Sequence, residues 1–389
     1  MQLFNINSKI IITCSNRIAP YLLKELEVLG YTPIQIFKTG IELKGTLQDC
    51  ILLNMQLRCA SQVLFKMYEC KAATANELYA KLVEVEWEKL IPEDGYFSIT
   101  SNVDNLSINN NLFANVKLKD AIVDRCRNTT GKRPNSGPAL DKTVIHLFWQ
   151  DDAVEIFIDT SGETLSKHGY RKIPGKAPML EALAAATLIA TKWDKKSAFI
   201  NPMCGSGTIA IEAALIATNR KPGLYRSNYA FMHLVGFEQS MYTQQIALLQ
   251  QMVVTVPGLQ IIATDISEDA IHIATINAGA AGVANLISFA VCDFEKTTVP
   301  ENEGGVVYFN PEYGDRLGNE TALQATYKRM GDFLKQQCKG YTGYIFTGNL
   351  ELAKKIGLKP SKRMEFFTSK IDCRLLEYEL YAGSREKLT

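Results

Sequence analysis

Apolar positions in the first part of the chain switch repeatedly between a two-residue and a helical period. The run KIIITC reads as a strand; a cap at Ser15 or Asn16 then opens an amphipathic stretch that reaches Leu29 and stops at Gly30. IELKG predicts a strand, 47–57 a helix, QVLFKMYEC a strand, 77–90 a helix ending before Pro92, and YFSITSNV a strand. A helix over 112–127 follows, then the strands VIHLFWQ and VEIFID across a turn at Asp151 and Asp152. This is an α+β layout of two small modules.

From Thr160 to Pro178 the chain becomes rich in Gly, Pro and cations, SGETLSKHGYRKIPGKAP, and predicts a linker. Beyond it strands and helices alternate: SAFIN, TIAIEAALIA, QIIATD, EDAIHIATINA, LISFAV, VVYFN, a helix over 322–338, TGYIFTG, a short helix and a hairpin across FFTSKIDCRLLEYELY. That rhythm predicts a doubly wound α/β sheet. The expected division is 1–60, 61–160, a linker at 161–178 and a final domain at 179–389.

Composition narrows the class without naming it. The 389 residues are 47% hydrophobic and 21% charged, as in an ordinary globular protein. A net charge of +1 argues against a generally basic nucleic-acid coat, so any RNA affinity must come from local patches. The amino terminus has no signal-peptide h-region and no stretch reaches eighteen uncharged apolar residues, which predicts a cytoplasmic protein without membrane contact. Nine cysteines without a Cys-x-x-Cys pair fit neither a disulfide framework nor a metal site and read as reduced core residues.

Four strand ends carry the candidate chemistry. In NPMCGSGTIAIEAA, from Asn201, the glycines Gly205 and Gly207 follow a strand and open a helix, so the backbone can turn tightly and aim amide groups at a ligand. Such a loop suits a dinucleotide pyrophosphate or the methionine end of S-adenosylmethionine. Asp265 ends the next strand, where its carboxylate can take ribose hydroxyls or cap the helix at SEDAI. Asp293 occupies the corresponding place after LISFAVC, as an adenine acceptor or an exposed loop acid. After GGVVYF comes Asn310-Pro311-Glu312-Tyr313. A carboxamide oxygen and a nearby backbone carbonyl can accept both hydrogens of a planar ring amine, and an aromatic ring can stack on its base. A nicotinamide dehydrogenase would place its acid about twenty residues after the glycines; Asp265 lies much further on.

NPMCGSGTIAIEAA, with APMLEALAAATL before it and FNPEYGDRLG after it, resembles the THUMP-containing guanine-N2 RNA methyltransferases. Within them it is similar to the amino-terminal half of the bacterial large-subunit ribosomal RNA enzymes. LFANVKLKDAIVDRCRNTTGKRP and the following VIHLFWQDDAVEIFIDTSGETLSKHGYR resemble the THUMP module and its exit. The resemblance implies a Rossmann-like class I methyltransferase domain preceded by a ferredoxin-like and THUMP α+β region. It implies S-adenosylmethionine as cofactor, with Asn201, Cys204, Gly205 and Gly207 on the methionine side, Asp265 on the ribose, and Asp293 with Phe294 near the adenine. Asn310, Pro311 and Tyr313 become the catalytic, base-handling residues. Glu312 departs from the family pattern, which commonly has a second Pro there; the loop loses a φ constraint and gains a charge. The chain stops after one methyltransferase domain where some relatives carry another, which predicts a single methylation.

Direct methyl transfer needs no metal and no covalent intermediate, so His168 and His233 read as polar surface or linker residues. RNA, ribosomal in preference to transfer RNA, is the expected partner, with no protein partner evident. Its phosphates would meet Lys117, Lys119, Arg125, Arg127, Lys132 and Arg133 in the THUMP-like region, a group that reads equally as a solvated helix face, and Lys167, Arg171, Lys172 and Lys176 in the linker. Lys354, Lys355, Lys359, Lys362 and Arg363 read as a solvated surface. The competing readings are a transfer RNA guanine-N2 enzyme, an adenine-N6 enzyme, a non-catalytic RNA-binding assembly factor and an NAD oxidoreductase.

Overall fold

The computed structural model describes residues 3–108, 110–176, 178–301, 304–312, 320–368 and 371–381. These divide into two compact units: the first holds the chain up to Cys14, Leu22–Ser166 and Pro222–Gln251, the second Ser15–Tyr21, Lys167–Lys221 and the chain from Met252 onward.

From Ser8 to Asp159 the elements run β1 (Ser8–Thr13), α1 (Ala19–Val28), β2 (Gln35–Phe37), β3 (Gly40–Gly45), α2 (Leu47–Gln56), β4 (Gln62–Lys71), α3 (Ala75–Leu82), β5 (Tyr96–Asp104), α4 (Asn111–Thr130), β6 (Asn135–Ser136), β7 (Thr143–Gln150) and β8 (Ala153–Asp159). The eight strands make one sheet in the order β2-β3-β1-β4-β8-β7-β5-β6. The antiparallel β1–β4 pair, with Ile10 opposite Phe65, joins the two α+β modules of the sequence pattern into that single sheet. Helix ends follow local chemistry. Thr46 and Asp49 form a capping box on α2, and α4 ends where Gly131 turns left-handed at φ 75.

The single helix expected over 77–90 breaks. Residues Val83-Glu84-Val85-Glu86 follow α3, Trp87–Lys89 forms a separate 3-10 turn, and the Trp87 indole N–H takes the Leu82 carbonyl at 2.8 Å. Two β-branched valines disfavour helix there, and the indole satisfies the carbonyl that helix continuation would have used.

The remaining elements are α5 (Glu181–Ala190), β9 (Ala198–Pro202), α6 (Thr208–Ala217), α7 (Gln239–Gln251), β10 (Ile261–Asp265), α8 (Glu268–Ala280), β11 (Ile287–Val291), β12 (Gly305–Phe309), α9 (Glu320–Gln337), β13 (Thr342–Thr347), α10 (Leu350–Lys354), β14 (Lys362–Thr368) and β15 (Ile371–Glu379). The segment Pro222–Gln251, which the chain rhythm places within 179–389, clusters with the first unit. Alternation of strands and helices carries no record of which core a connecting segment joins.

The second unit's sheet runs β11-β10-β9-β12-β13-β15-β14. Strands β9 to β13 are parallel, while β15 runs antiparallel to both β13 and β14. Every residue of β9 is buried, as expected of a central strand covered on both faces. On α9, Tyr327, Met330, Phe333 and Leu334 form a buried helical stripe in the same core as Val307, Phe309 and Ile345. Each such side chain contributes about 1.5–3 kcal/mol on burial, so this packing holds α9 and β12 in one core. Strand order reverses between β9 and β12, where ligands bind in open α/β sheets. Among the described residues, no helix is long and apolar enough to cross a membrane.

Candidate cofactor and base site

The candidate residues stand at consecutive carboxyl ends of the parallel strands. Asn201 lies near the end of β9, Asp265 ends β10, Asp293 follows β11 and Asn310 follows β12. After β9 the backbone takes positive φ at Met203 (55°), Gly205 (55°) and Gly207 (80°). Left-handed residues at alternate positions turn successive main-chain N–H groups toward one side and make a concave loop. A Cβ built at Gly205 meets nothing within 4 Å, so the loop is open at that point; at Gly207 it would stand 2.9 Å from the Cβ of Ala274 on α8.

Asp265 organises this loop. Its Oδ2 accepts the Gly205 N–H at 2.9 Å and its Oδ1 the Ser267 N–H at 3.0 Å. The cap of α8 is Ser267, whose side chain accepts from Ala270 N–H. Each oxygen of Asp265 keeps a lone pair for a further donor, as a ribose diol would supply. The Cys204 thiol is pushed well above its ordinary value by burial and then by the Asp265 charge, which removes its nucleophilic form near neutrality.

At the switch point β9 and β12 separate. Their pairing ends with Ile200 opposite Val307, although β9 stays paired with β10 as far as Pro202. Asn201 is 1% exposed, and its Nδ2 bridges the gap to the Tyr308 carbonyl at 2.9 Å. Its Oδ1, like that of Asn310, is buried with no hydrogen-bond partner among the described residues. A desolvated acceptor without a donor is costly, and these two stand on adjoining strand ends, where an incoming donor would satisfy them. Pro311 is buried and Glu312 exposed. The Glu312 carbonyl accepts from Tyr327 Oη at 3.3 Å, which ties the motif to α9. Tyr313 lies outside the described residues.

Phe294 is 6% exposed, with its ring edge-to-face against Phe309 and Phe333. The ring belongs to the core, so an adenine would meet its main chain. Asp293 caps the 3-10 turn Phe294–Lys296 and is gripped by Arg329. Burial pushes its carboxyl up, but the Arg329 hydrogen bonds, the Glu295 amide and the Arg329 and Lys296 charges outweigh this and hold it below the ordinary value.

Several residues of the site were not anticipated from the sequence. His168, read as a surface or linker residue, is 1% exposed, and its Nδ1 lies 2.8 Å from Oε1 of the fully buried Glu212 on α6. The signal was the lone acid in TIAIEAALIA, since a charge in a wholly apolar helix needs a partner. Asn277, inside α8, accepts from the Lys172 and Ile173 amides at 2.9 and 3.0 Å and donates to the Ile173 carbonyl at 3.0 Å and the Ser206 carbonyl at 3.4 Å. A poor helix former in mid-helix was the hint.

The cations expected to meet RNA separate into internal and external groups. Arg171 is a correction: its side chain is 13% exposed and donates to Glu181, Ser206, Thr208 and the Met179 carbonyl. It braces the glycine loop, and among the described residues most of its donors are already engaged. In the first unit Arg125 is forked onto Glu88 at 2.8 and 3.2 Å, Lys132 pairs with Glu93 and Asp94, and Lys119 lies 3.7 Å from Asp120. Lys117 sits 5.7 Å from the Phe113 ring centre, while Arg127 and Arg133 are exposed. Lys167, Lys172 and Lys176 are also exposed.

Comparison with known proteins gives three domain matches. A family described as RlmL ferredoxin-like domain matches residues 9–64, the THUMP domain 72–159, and the RMKL-like, methyltransferase domain 168–377. The chain is 34% identical over 368 residues to "Ribosomal RNA large subunit methyltransferase K/L" of Psychromonas ingrahamii, covering 93% of this chain and 49% of that one. To the protein of the same name from Syntrophotalea carbinolica it is 32% identical over 383 residues, covering 96% and 53%. The chain thus spans about half the length of these curated relatives. The crystal structure of SMU.472, named as a methyltransferase and complexed with SAH, superposes with a TM-score of 0.87 at 25% identity, covering 97% of this chain and 99% of that one.

Proposed function

The chain belongs to the RMKL-like methyltransferase family, and from that premise we propose that it methylates the exocyclic N2 amine of a guanine in RNA, with S-adenosylmethionine as donor and large-subunit ribosomal RNA as substrate. The observation that carries the ring-amine part of this reading is the Oδ1 of Asn310 at the carboxyl end of β12, buried and without a hydrogen-bond partner among the described residues. A ring amine is a poor nucleophile because its lone pair is delocalised into the ring. Asn310 Oδ1 and the Pro311 carbonyl accept its two hydrogens, which orients the nitrogen and disfavours that delocalisation. Tyr313 supplies the stacking face.

The donor site has chemistry to match. The main chain of the 203–207 loop, open at Gly205, takes the methionine end together with Asn201 and Cys204, Asp265 takes the ribose, and Asp293 with the Phe294 amide takes the adenine edge. S-adenosylmethionine, when bound, supplies an electrophilic methyl group on a sulfonium. The residues of this chain then act by position and electrostatics alone; the acceptor nitrogen becomes strongly acidic on methylation and sheds its proton without a dedicated base. Exposed cations in the THUMP domain and at Lys167, Lys172 and Lys176 supply phosphate contacts. Ribosomal RNA is preferred because the curated relatives carry that substrate in their names, and the work is placed in the cytoplasm with it.

Nucleoside mass spectrometry of ribosomal and transfer RNA from cells lacking the gene tests the reading. Loss of N2-methylguanosine from the large-subunit RNA is the expected result. Loss from transfer RNA alone would move the substrate, and no loss from either pool would overturn the assignment.

A further inference from the structure

Arg329, on α9, reaches the 3-10 turn that carries the adenine-side acid. Its Nη2 lies 2.8 Å from both Asp293 Oδ1 and Oδ2 and 2.6 Å from Glu295 Oε2, so its two hydrogens are shared among three carboxylate oxygens. Its guanidinium carbon lies 4.8 Å from the centre of the Phe294 ring. From the same helix Gln337 donates to the Glu295 carbonyl at 3.0 Å. Arginine, carboxylates and ring thus hold one another in place, and the arginine lies over a ring whose edges are already packed in the core.

Counting lone pairs shows what this leaves for a ligand. Asp293 Oδ1 accepts both Arg329 and the Glu295 amide, whereas Oδ2 accepts only Arg329 among the described residues. The Asp293 side chain keeps 27% exposure. An ionised carboxylate only accepts, so a fixed Oδ2 welcomes an N–H and repels a carbonyl oxygen at the same place. We propose that Arg329 is the positioning residue that makes the Asp293 carboxylate select the exocyclic amine on the purine of the bound cofactor. This rests on the S-adenosylmethionine reading of the site.

The test is calorimetric binding of S-adenosylhomocysteine and its 6-deamino purine analogue, which lacks the amine but keeps the ring N1 acceptor that the Phe294 amide takes, to the wild-type chain, Arg329→Gln and Arg329→Lys. The wild type should prefer the adenosyl compound on the order of 10- to 100-fold, the worth of one hydrogen bond to a charged group. Arg329→Gln should reduce the preference to within a few fold, and Arg329→Lys should fall between, keeping the charge on a flexible ammonium that fixes the carboxylate less rigidly. Should Arg329→Gln fail to fold, the drop in Arg329→Lys decides. A preference unchanged in the folded variants, even with both affinities lowered, makes Arg329 a structural strut and overturns the proposal. A wild-type chain that binds neither compound overturns the cofactor reading and this inference with it, a result separate from an unchanged ratio.

Discussion

Asn201 Nδ2 donates to the Tyr308 carbonyl at 2.9 Å, just past the point where main-chain pairing between β9 and β12 ends. One carboxamide therefore links the strand that leads into the glycine loop to the strand that presents Asn310. Asn201→Ala removes a buried hydrogen bond and leaves a small void, so stability should fall by about 1–2 kcal/mol. Displaced strand ends should lower turnover about 100-fold. Urea denaturation and single-turnover kinetics would check both. Unchanged values would show that the bridge does not set the geometry.

The two loop glycines should respond differently to the same added methyl. Gly205→Ala incurs the left-handed φ of 55° but meets nothing within 4 Å, so it should cost about 1 kcal/mol of stability. Gly207→Ala adds a 2.9 Å approach to Ala274 and should cost about 3 kcal/mol. Only the methyl at Gly205 projects into the open side of the loop, so there the loss of S-adenosylhomocysteine affinity should exceed the loss of stability. Calorimetric binding at a temperature where both variants are folded separates the effects. Full affinity in Gly205→Ala would misplace the ligand.

Two buried groups of the first unit should give opposite pH dependence. Burial raises Asp159 from 3.8 to about 6, against its hydrogen bonds from Ser161, Gly162 and Gln62 and the Arg226 charge. Burial lowers His146 from 6.5 to about 4. Between pH 4 and 6 the folded chain holds the Asp159 proton that the unfolded chain releases, so this group's contribution falls as pH rises. The unfolded chain holds the His146 proton that the folded chain lacks, so that contribution rises from about pH 4 to 6.5. Each amounts to roughly 3 kcal/mol at about 1.4 kcal/mol per pH unit, and in the wild type they largely cancel. Relative to wild type, His146→Gln should lose stability and Asp159→Asn gain it as pH rises through this window, by denaturation midpoints. Parallel profiles for all three proteins would contradict the assignment.

Among the cations near residue 170, exposure predicts function. The double variant Lys167→Glu, Lys172→Glu should weaken RNA binding and flatten its salt dependence, by about 0.7 in log–log slope for each lost phosphate contact, with S-adenosylhomocysteine affinity unchanged. Arg171→Ala should instead destabilise the glycine loop and reduce cofactor affinity, because its donors serve Glu181, Ser206 and Thr208. Filter binding across a salt series, beside cofactor calorimetry, would reveal an inverted pattern if the division is wrong.

The sequence carried the second unit's architecture well because its central strands are buried on both faces. Unbroken runs such as SAFIN and VVYF, each followed by a helical period, leave few alternatives. Asn201, Gly205, Asp265, Asp293 and Asn310 could be placed at strand ends for the same reason. What escaped was tertiary. The 161–178 stretch lacks regular structure, but Gly and Pro report backbone conformation and not exposure; Tyr170 and His168 within it are 2% and 1% exposed. Arg171 looked like a phosphate contact because charge is legible in sequence, whereas its partner Glu181 is recognised only once α5 is in place. Arg329 lies more than thirty positions beyond Asp293, and nothing local to either residue announces the pair.

Transfer of an isotopically labelled methyl group from S-adenosylmethionine to bare large-subunit ribosomal RNA by the purified chain, followed by digestion to nucleosides and mass spectrometry, tests the central claim most directly. The label should appear in N2-methylguanosine and be absent with Asn310→Ala, a variant that should still bind S-adenosylhomocysteine within a few fold of wild type. Label in N6-methyladenosine, no label at all, or undiminished transfer by Asn310→Ala would contradict the account.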